Sequence, residues 1–300
     1  MSTKKLSEVI PLEIKDTAKN LGLIAAKPII SVRSALKTMA DNNITSLPIY
    51  SHVSEEIVNI VNLVDILNYI IKEAVADEKL PTSINSERII NLDKPIEIVM
   101  TLDSDRESYR IFKSDANEGL HDTLTAFSKG VHRSLVIDYT GKINPYILTQ
   151  TDIIKYVYKH PESVPDIDFN LSLKSLGLFS EDKKEEVVVG YVNETALNVY
   201  RRMAFKNLIG IPIVDRQLFG NLSVSDLRGL SYKSIDHLVL PVLDFLKLLP
   251  NSENILNPKT ATYDTSLKEV IEIIVENHIH RIWIIDQDKK ILARVEFTYL

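Results

Sequence analysis

The stretch Ile279-His280-Arg281-Ile282-Trp283-Ile284-Ile285-Asp286 decides the reading of the chain. It follows a run in which Leu267, Val270, Ile271, Ile274 and Val275 fall at offsets 0, 3, 4, 7 and 8, with Ile279 at 12. Those offsets lie on one face of an α-helix. The block after it is β-branched and ends in an acidic residue, which predicts a short buried strand and a turn. The same offsets recur in Val32, Ala35, Leu36, Met39, Ala40 and Ile44, ahead of Leu47-Pro48-Ile49-Tyr50. They recur again in Ala196, Val199, Tyr200, Met203, Ala204 and Leu208, ahead of Ile211-Pro212-Ile213-Val214-Asp215. A looser copy, Leu120, Thr123, Leu124 and Phe127, leads to Val131-His132-Arg133-Ser134-Leu135-Val136-Ile137-Asp138, with one residue fewer assigned to the turn.

Three copies continue through a second apolar strand to an Asp that opens another helix: Asn62-Leu63-Val64-Asp65, Thr149-Gln150-Thr151-Asp152 and Ser223-Val224-Ser225-Asp226. Four copies of one unit, each too small to close a core alone, predict a repeat architecture. Its class is α/β, with small sheets and helices packed on one face.

Composition narrows the function. The 300 residues are 45% hydrophobic and 25% charged, values of a soluble globular protein with room for two domains. Cysteine is absent, which excludes thiolate nucleophiles, disulfides and cysteine-ligated zinc. The formal charge of −6 argues against a surface built for nucleic-acid phosphates. The first residues are charged with no apolar run behind them, and no segment has the length of a membrane span, so the expected location is the cytosol or nucleus. Walker A, Gly-x-Gly-x-x-Gly, Gly-x-Ser-x-Gly and His-Glu-x-x-His patterns are missing, so no enzymatic activity, cofactor or metal centre is expected.

In chain order, residues 1–30 are a lead-in expected to pack on the first repeat. Repeats follow at 31–76 and 111–160, joined by a connector that includes the solvated loop Asp103-Ser104-Asp105-Arg106-Glu107. Residues 161–186 are an expected linker, with a fragment of helix around Leu171–Leu178. Further repeats occupy 187–249 and 259–300. The expected modules are 31–160 and 187–300.

This pattern of helix, strand, hairpin, strand and Ser/Thr-x-Ser/Thr-Asp resembles the cystathionine β-synthase (CBS) domain. Four in one chain resemble the gamma subunit of AMP-activated protein kinase and its yeast and plant relatives, with His132-Arg133 like the gamma second repeat and His280-Arg281 like its fourth. The resemblance covers about residues 30–300. It implies two Bateman modules in a disc and regulatory binding of AMP, ADP or ATP. It also implies energy sensing with a Ser/Thr kinase alpha subunit and a beta scaffold subunit as partners. The basic residues His132, Arg133, His280 and Arg281 would face phosphate. The ribose and helix-end set would be Asp65, Thr149, Thr151, Asp152, Ser223, Ser225 and Asp226, with the third repeat carrying the fullest motif.

The chain departs from that family at three places. Thr45 replaces the basic residue of the first repeat, Tyr299 stands at the Asp position of the fourth, and Asp152 stands where mammalian gamma subunits carry a basic residue. Each Asp is also a sufficient N-cap for the helix it opens, with or without ribose. The alternative function is therefore a scaffold that binds protein partners without nucleotide. His278-x-His280 could be read as metal ligands on one strand, but no further ligands are grouped beside it.

Overall fold

A left-handed residue closes each of the four repeated helices. In the computed structural model, which describes residues 5–6, 23–74, 83–84, 89–100, 111–178 and 187–296, Asn43, Gly130, Asn207 and His278 have φ of 51°, 94°, 54° and 53°. The next residue in each case turns its N–H back to the helix: Ile44 to Met39 O (2.9 Å), Val131 to Ala126 O (3.1 Å), Leu208 to Met203 O (2.8 Å) and Ile279 to Ile274 O (3.2 Å). This is the Schellman ending, in which one left-handed residue lets two orphaned carbonyls of the last helical turn be satisfied.

The helices so closed are α1 (Val32–Asp41), α4 (His121–Ser128), α6 (Ala196–Lys206) and α9 (Leu267–Glu276). Further helices are α2 (Leu63–Ala74), α3 (Glu97–Met100), α5 (Gln150–Lys159), α7 (Val242–Lys247) and α8 (Ser252–Ile255). The side chains of Ser31, Thr195 and Ser266 cap α1, α6 and α9 by accepting from Ser34 N, Asn198 N and Glu269 N. The helical ending of the second repeat matches the others, so its missing residue lies within α4 and not in the turn. The eight residues of α4 bury Thr123 and Phe127 behind a fully buried Leu120.

Each helix feeds a hairpin. The strands are β1 (Ser46–Tyr50) with β2 (Ile57–Asn62), β4 (Arg133–Ile137) with β5 (Tyr146–Thr149), β7 (Gly210–Asp215) with β8 (Gln217–Ser223), and β10 (Arg281–Ile285) with β11 (Ile291–Glu296). A short parallel strand borders three of them: β3 (Phe112–Asp115), β6 (Gly190–Tyr191) and β9 (Thr260–Ala261). In the first repeat a single bridge, Ala26 to Ile49, takes that place. The residues Ala26, Ser114, Gly190 and Ala261 at this crossing are all small, because the helix packs over it. A Cβ on Gly190 would lie 2.8 Å from Ile213 Cδ1 and 2.9 Å from Val199 Cγ1.

A further element recurs four times. The start of each closed helix is bridged by a single residue from elsewhere in the chain, and the residue after that one is fully buried: Lys5 with Gly119, then Leu6; Pro95 with Ser31, then Ile96; Ser172 with Ser266, then Leu173; Pro241 with Thr195, then Val242. These clamps were not expected, and they revise the reading of the segments that carry them. The lead-in residues Lys5 and Leu6 pack on the second repeat, not the first. The supposed linker binds the fourth repeat through Leu173 N to Thr265 O (3.0 Å) and Leu267 N to Leu171 O (3.0 Å). The described part of the connector contributes Ile84, Ile90, Leu92, Ile96 and Val99 to the core, with Leu92 and Ile96 at 0% exposure. The loop Asp103–Glu107 lies outside the described residues.

Contacts group the chain into two units: Met1–Ile24, Ile111–Val187 and Lys259–Leu300 in one, Ala25–Arg110 and Val188–Pro258 in the other. The first holds the second and fourth repeats, with α5 packed on α9; the other holds the first and third, with α2 packed on α6. In that second unit Tyr232 Oη accepts from Leu92 N (2.9 Å) and Asp236 accepts from Ile84 N (2.6 Å), fastening the connector to the third repeat. Among the described residues no helix is long and apolar enough to cross a membrane.

Two substitutions test this packing. Gly190→Val should lower the unfolding free energy by about 1–3 kcal/mol through overpacking, whereas His278→Gly, at a left-handed exposed position, should raise it by about 0.5–1 kcal/mol. Urea unfolding monitored by circular dichroism measures both.

Candidate functional site

Counting from the left-handed residue, the second and third positions onward are Thr45-Ser46, His132-Arg133, Ile209-Gly210 and His280-Arg281 in the four repeats. The shared turn therefore puts both His-Arg pairs at the entrance of a first strand, and both belong to the unit built from the second and fourth repeats. Arg281 is buried, Arg133 half-buried, and His132 and His280 are exposed.

Antiparallel pairing brings the end of the second strand back to that entrance. Ser46 faces Asn62, Arg133 faces Thr149, Gly210 faces Ser223 and Arg281 faces Glu296. The facing residue caps the next helix in the first three repeats. Asp65 Oδ2 accepts from Asn62 N (2.8 Å), Asp152 Oδ2 from Thr149 N (2.8 Å) and Asp226 Oδ2 from Ser223 N (2.7 Å). The cap side chains reciprocate, Thr149 Oγ1 accepting from Asp152 N (3.3 Å) and Asn62 Oδ1 from Asp65 N (3.2 Å). These are capping boxes, with Asp in the place of Glu. After Ser223 the chain forms a 3₁₀ turn over Val224–Leu227, with Ser225 Oγ donating to Ser223 Oγ (3.0 Å). Thr151 occupies the first turn of α5 and is half-buried.

The second repeat is the one in which a basic pair and a capping Asp share a hairpin end among the described residues. The third has Asp226 but Ile209-Gly210 opposite. The fourth has His280-Arg281, and Tyr299 lies outside the described residues. In the second repeat Gln150 orients the histidine: its Nε2 donates to Phe127 O (3.2 Å), which turns Oε1 toward His132 Nδ1 at 3.2 Å and makes that nitrogen the donor. Sequence reasoning missed Gln150 because nothing separates it from an ordinary helix N1 residue.

Buried tyrosines stand beside two of the carboxylates. Burial, with Asp152 adding, pushes the Tyr146 phenol far up; burial and Asp226 do the same for Tyr200, whose hydroxyl donates to Ser223 O (3.1 Å). Both stay neutral at any physiological pH. The hairpin carrying the second-repeat site is closed by Asp138. Its Oδ1 accepts from Thr140 Oγ1 (2.6 Å), Thr140 N (2.9 Å) and Asn117 Nδ2 (3.0 Å), and its Oδ2 from Lys142 N and Ile143 N (both 2.9 Å). The Thr140 hydroxyl above all, opposed by burial and supported by the other donors, holds this carboxyl well below the usual range. No group of His, Cys, Asp and Glu among the described residues could hold a metal ion. His278 serves as the left-handed helix ending.

The geometry is that of CBS repeats, and the CBS domain model matches residues 19–72 and 253–295. The chain thus has a mixed α/β fold of the CBS-domain type. It resembles gamma-type regulatory subunits: the gamma-like subunit PV42a of SNF1-related protein kinase from Arabidopsis thaliana is 20% identical over 97% of this chain and 94% of its own. Protein SDS23 of Candida albicans is 22% identical over 95% of this chain and 49% of its own. The chain spans about half the length of this relative and somewhat more of two others of that name, at 58% and 59%. Among solved structures, MJ1225 of Methanocaldococcus jannaschii, proposed as an archaeal homologue of g-AMPK, superposes with a TM-score of 0.70 at 17% identity, covering 99% of this chain and 98% of its own.

The depressed Asp138 has a consequence for acid stability. A carboxyl held lower in the folded than in the unfolded chain contributes stability that is whole above the unfolded value of about 3.9 and is lost as pH falls through the folded value. The melting temperature of the wild type should therefore fall more steeply below about pH 4 than that of Asp138→Asn, and the variant should already melt lower at pH 7. Differential scanning calorimetry across pH 2–7 reads both.

Proposed function

We propose that this chain is a non-catalytic regulatory protein that binds AMP, ADP or ATP and controls a Ser/Thr protein kinase, with a catalytic alpha subunit and a beta scaffold subunit as partners. The observation that carries the reading is the hairpin end of the second repeat, where His132, Arg133, Thr149 and Asp152 converge, in a unit that also holds His280 and Arg281. Arginine and histidine supply charge-assisted donors to phosphate, each contributing about 1.5–3 kcal/mol. A carboxylate has about four acceptor sites, so Asp152 can cap its helix and accept from ribose hydroxyls together. The same holds for Asp226, with Ser223 and Ser225 beside it, and for Asp65. The second repeat thus moves ahead of the third as the favoured nucleotide site, because the strand entrance that faces the third cap carries Ile209-Gly210 in place of a basic pair. Occupancy would shift the population of repeat arrangements that a partner reads.

One observation favours a second reading. In each of the three boxes the Asp is accounted for by helix capping alone, as expected of a scaffold that binds partners without nucleotide. Isothermal titration with AMP, ADP and ATP separates the two. Binding should be seen, and Arg133→Ala or Arg281→Ala should weaken AMP by roughly tenfold or more, about 1.4 kcal/mol, with ATP hydrolysis absent throughout. Equal affinity in the wild type and the double variant leaves the scaffold reading in front.

A further inference from the structure

In the unit of the first and third repeats, Arg33 pairs with Asp93 and Arg202 with Glu194. Arg228 has neutral partners instead. Its Nε donates to Ser225 O (3.1 Å) and its Nη1 to Asn43 Oδ1. It is half-buried, yet no carboxylate among the described residues pairs with it. A guanidinium carries five N–H donors, so three remain beyond these two bonds. A partly desolvated cation without a counterion is unfavourable until an anion joins it.

The place of Arg228 is the junction of two repeats. Asn43 is the left-handed residue that ends α1, and Thr45-Ser46, two and three positions on, lead into β1. Thr45 O accepts from Leu63 N (3.1 Å), which sets this entrance beside the start of α2 with its caps Asn62 and Asp65. On the other side, Arg228 leaves the turn that holds Ser223, Ser225 and Asp226, and that turn packs on α2. Gly229 N donates to Leu36 O (3.3 Å), and a Cβ there would lie 3.4 Å from Ala40 Cβ, so the segment is seated on α1. Both strand entrances of this unit lack a basic pair, reading Thr45-Ser46 and Ile209-Gly210. Arg228 carries a cation from the third repeat to the first of them.

We infer that Arg228 binds the phosphate of an anionic ligand, completing across the two repeats a site that the first repeat cannot form alone. Its remaining donors form charge-assisted bonds to phosphate oxygens, with the Thr45 and Ser46 hydroxyls at the same entrance. With one guanidinium against the two His-Arg pairs of the other unit, it is the weaker of two sites. That the ligand is a nucleotide, with Asp65 and Asp226 accepting from its hydroxyls, rests on the reading above; the phosphate site itself does not.

Hydrogen exchange of the full chain, with and without saturating AMP or pyrophosphate, tests the site locally. In the wild type both ligands should slow exchange roughly threefold or more over residues 43–46 and 223–229. Arg228→Gln keeps donors for Ser225 O and Asn43 Oδ1 but not the charge, and should lose this effect. Arg228→Ala, the second uncharged variant, should lose it too, and Arg228→Lys should keep part of it. Asn43→Gly preserves the left-handed turn while removing the tether, and should keep the protection. No ligand effect over these residues in the wild type, or one that survives both uncharged variants, would overturn the site. Loss in Asn43→Gly as complete as in Arg228→Gln would also overturn it, because Arg228 is then a tether between repeats. An AMP effect over residues 131–137 and 149–153 alone keeps the proposed function and removes the Arg228 site. Protection of 43–46 and 223–229 by pyrophosphate without AMP keeps the Arg228 site and removes the nucleotide reading there.

Discussion

The N–H that follows each left-handed residue has to reach the last turn of the helix before it, and the placement of the site follows from that bond. With the helix ending fixed, the chain leaves at one angle and the next residues enter a strand in the same register in all four repeats. A His-Arg pair two and three positions on is then carried to the strand entrance by backbone geometry alone. Asn43 and Asn207 adopt the left-handed region readily, Gly130 without a Cβ, and His278 against its preference. That three different residue types meet one conformation argues that the turn is imposed by packing of the helix on the strand rather than by the local residues.

Antiparallel pairing supplies the second constraint. Whatever stands at the start of the first strand must meet whatever stands at the end of the second, so a site is the product of two independently varying positions. The first repeat pairs Ser46 with a capping Asn62, the third Gly210 with Ser223, the fourth Arg281 with Glu296. In the second, Arg133 meets Thr149 and its Asp152. Cationic entrances and acidic caps are therefore distributed unequally over four nearly equivalent frames, which gives the repeats different chemistry without altering the fold.

The helices, hairpins and helix-opening Asp residues were legible because each repeats a pattern with a period: buried stripes at 3.6, alternation at 2, and a cap three residues before its partner. The clamps were not. Leu6, Ile96, Leu173 and Val242 each follow a single bridge residue, and their common role becomes visible only when the four are set side by side. The second repeat was misread in a related way. The offset from Leu120 to Val131 is one short, and sequence alone assigns a deletion to the most tolerant place, the turn. The turn is the least tolerant place here, because its two backbone bonds require a fixed count, so the deletion sits in α4. The candidate site was half legible: His132, Arg133, Thr149 and Asp152 were named, but their convergence depends on strand register, and the preference for the third repeat came from a motif that leaves out the facing strand.

The core of the second repeat also holds a cluster of buried hydroxyls. Ser134 stands four residues past the left-handed turn, where the other repeats carry Leu47, Ile211 and Ile282. Ser114 Oγ lies 2.7 Å from Ser134 Oγ and 3.0 Å from Thr123 Oγ1, and Ser134 Oγ donates to Phe112 O at 3.2 Å, so the buried hydroxyls satisfy one another. A satisfied network costs little, but it contributes less than the roughly 1.5–3 kcal/mol of a fully buried aliphatic side chain in the same volume. A core with that deficit depends more on each apolar residue it retains, and Leu6, brought from a distant part of the chain, is one of them.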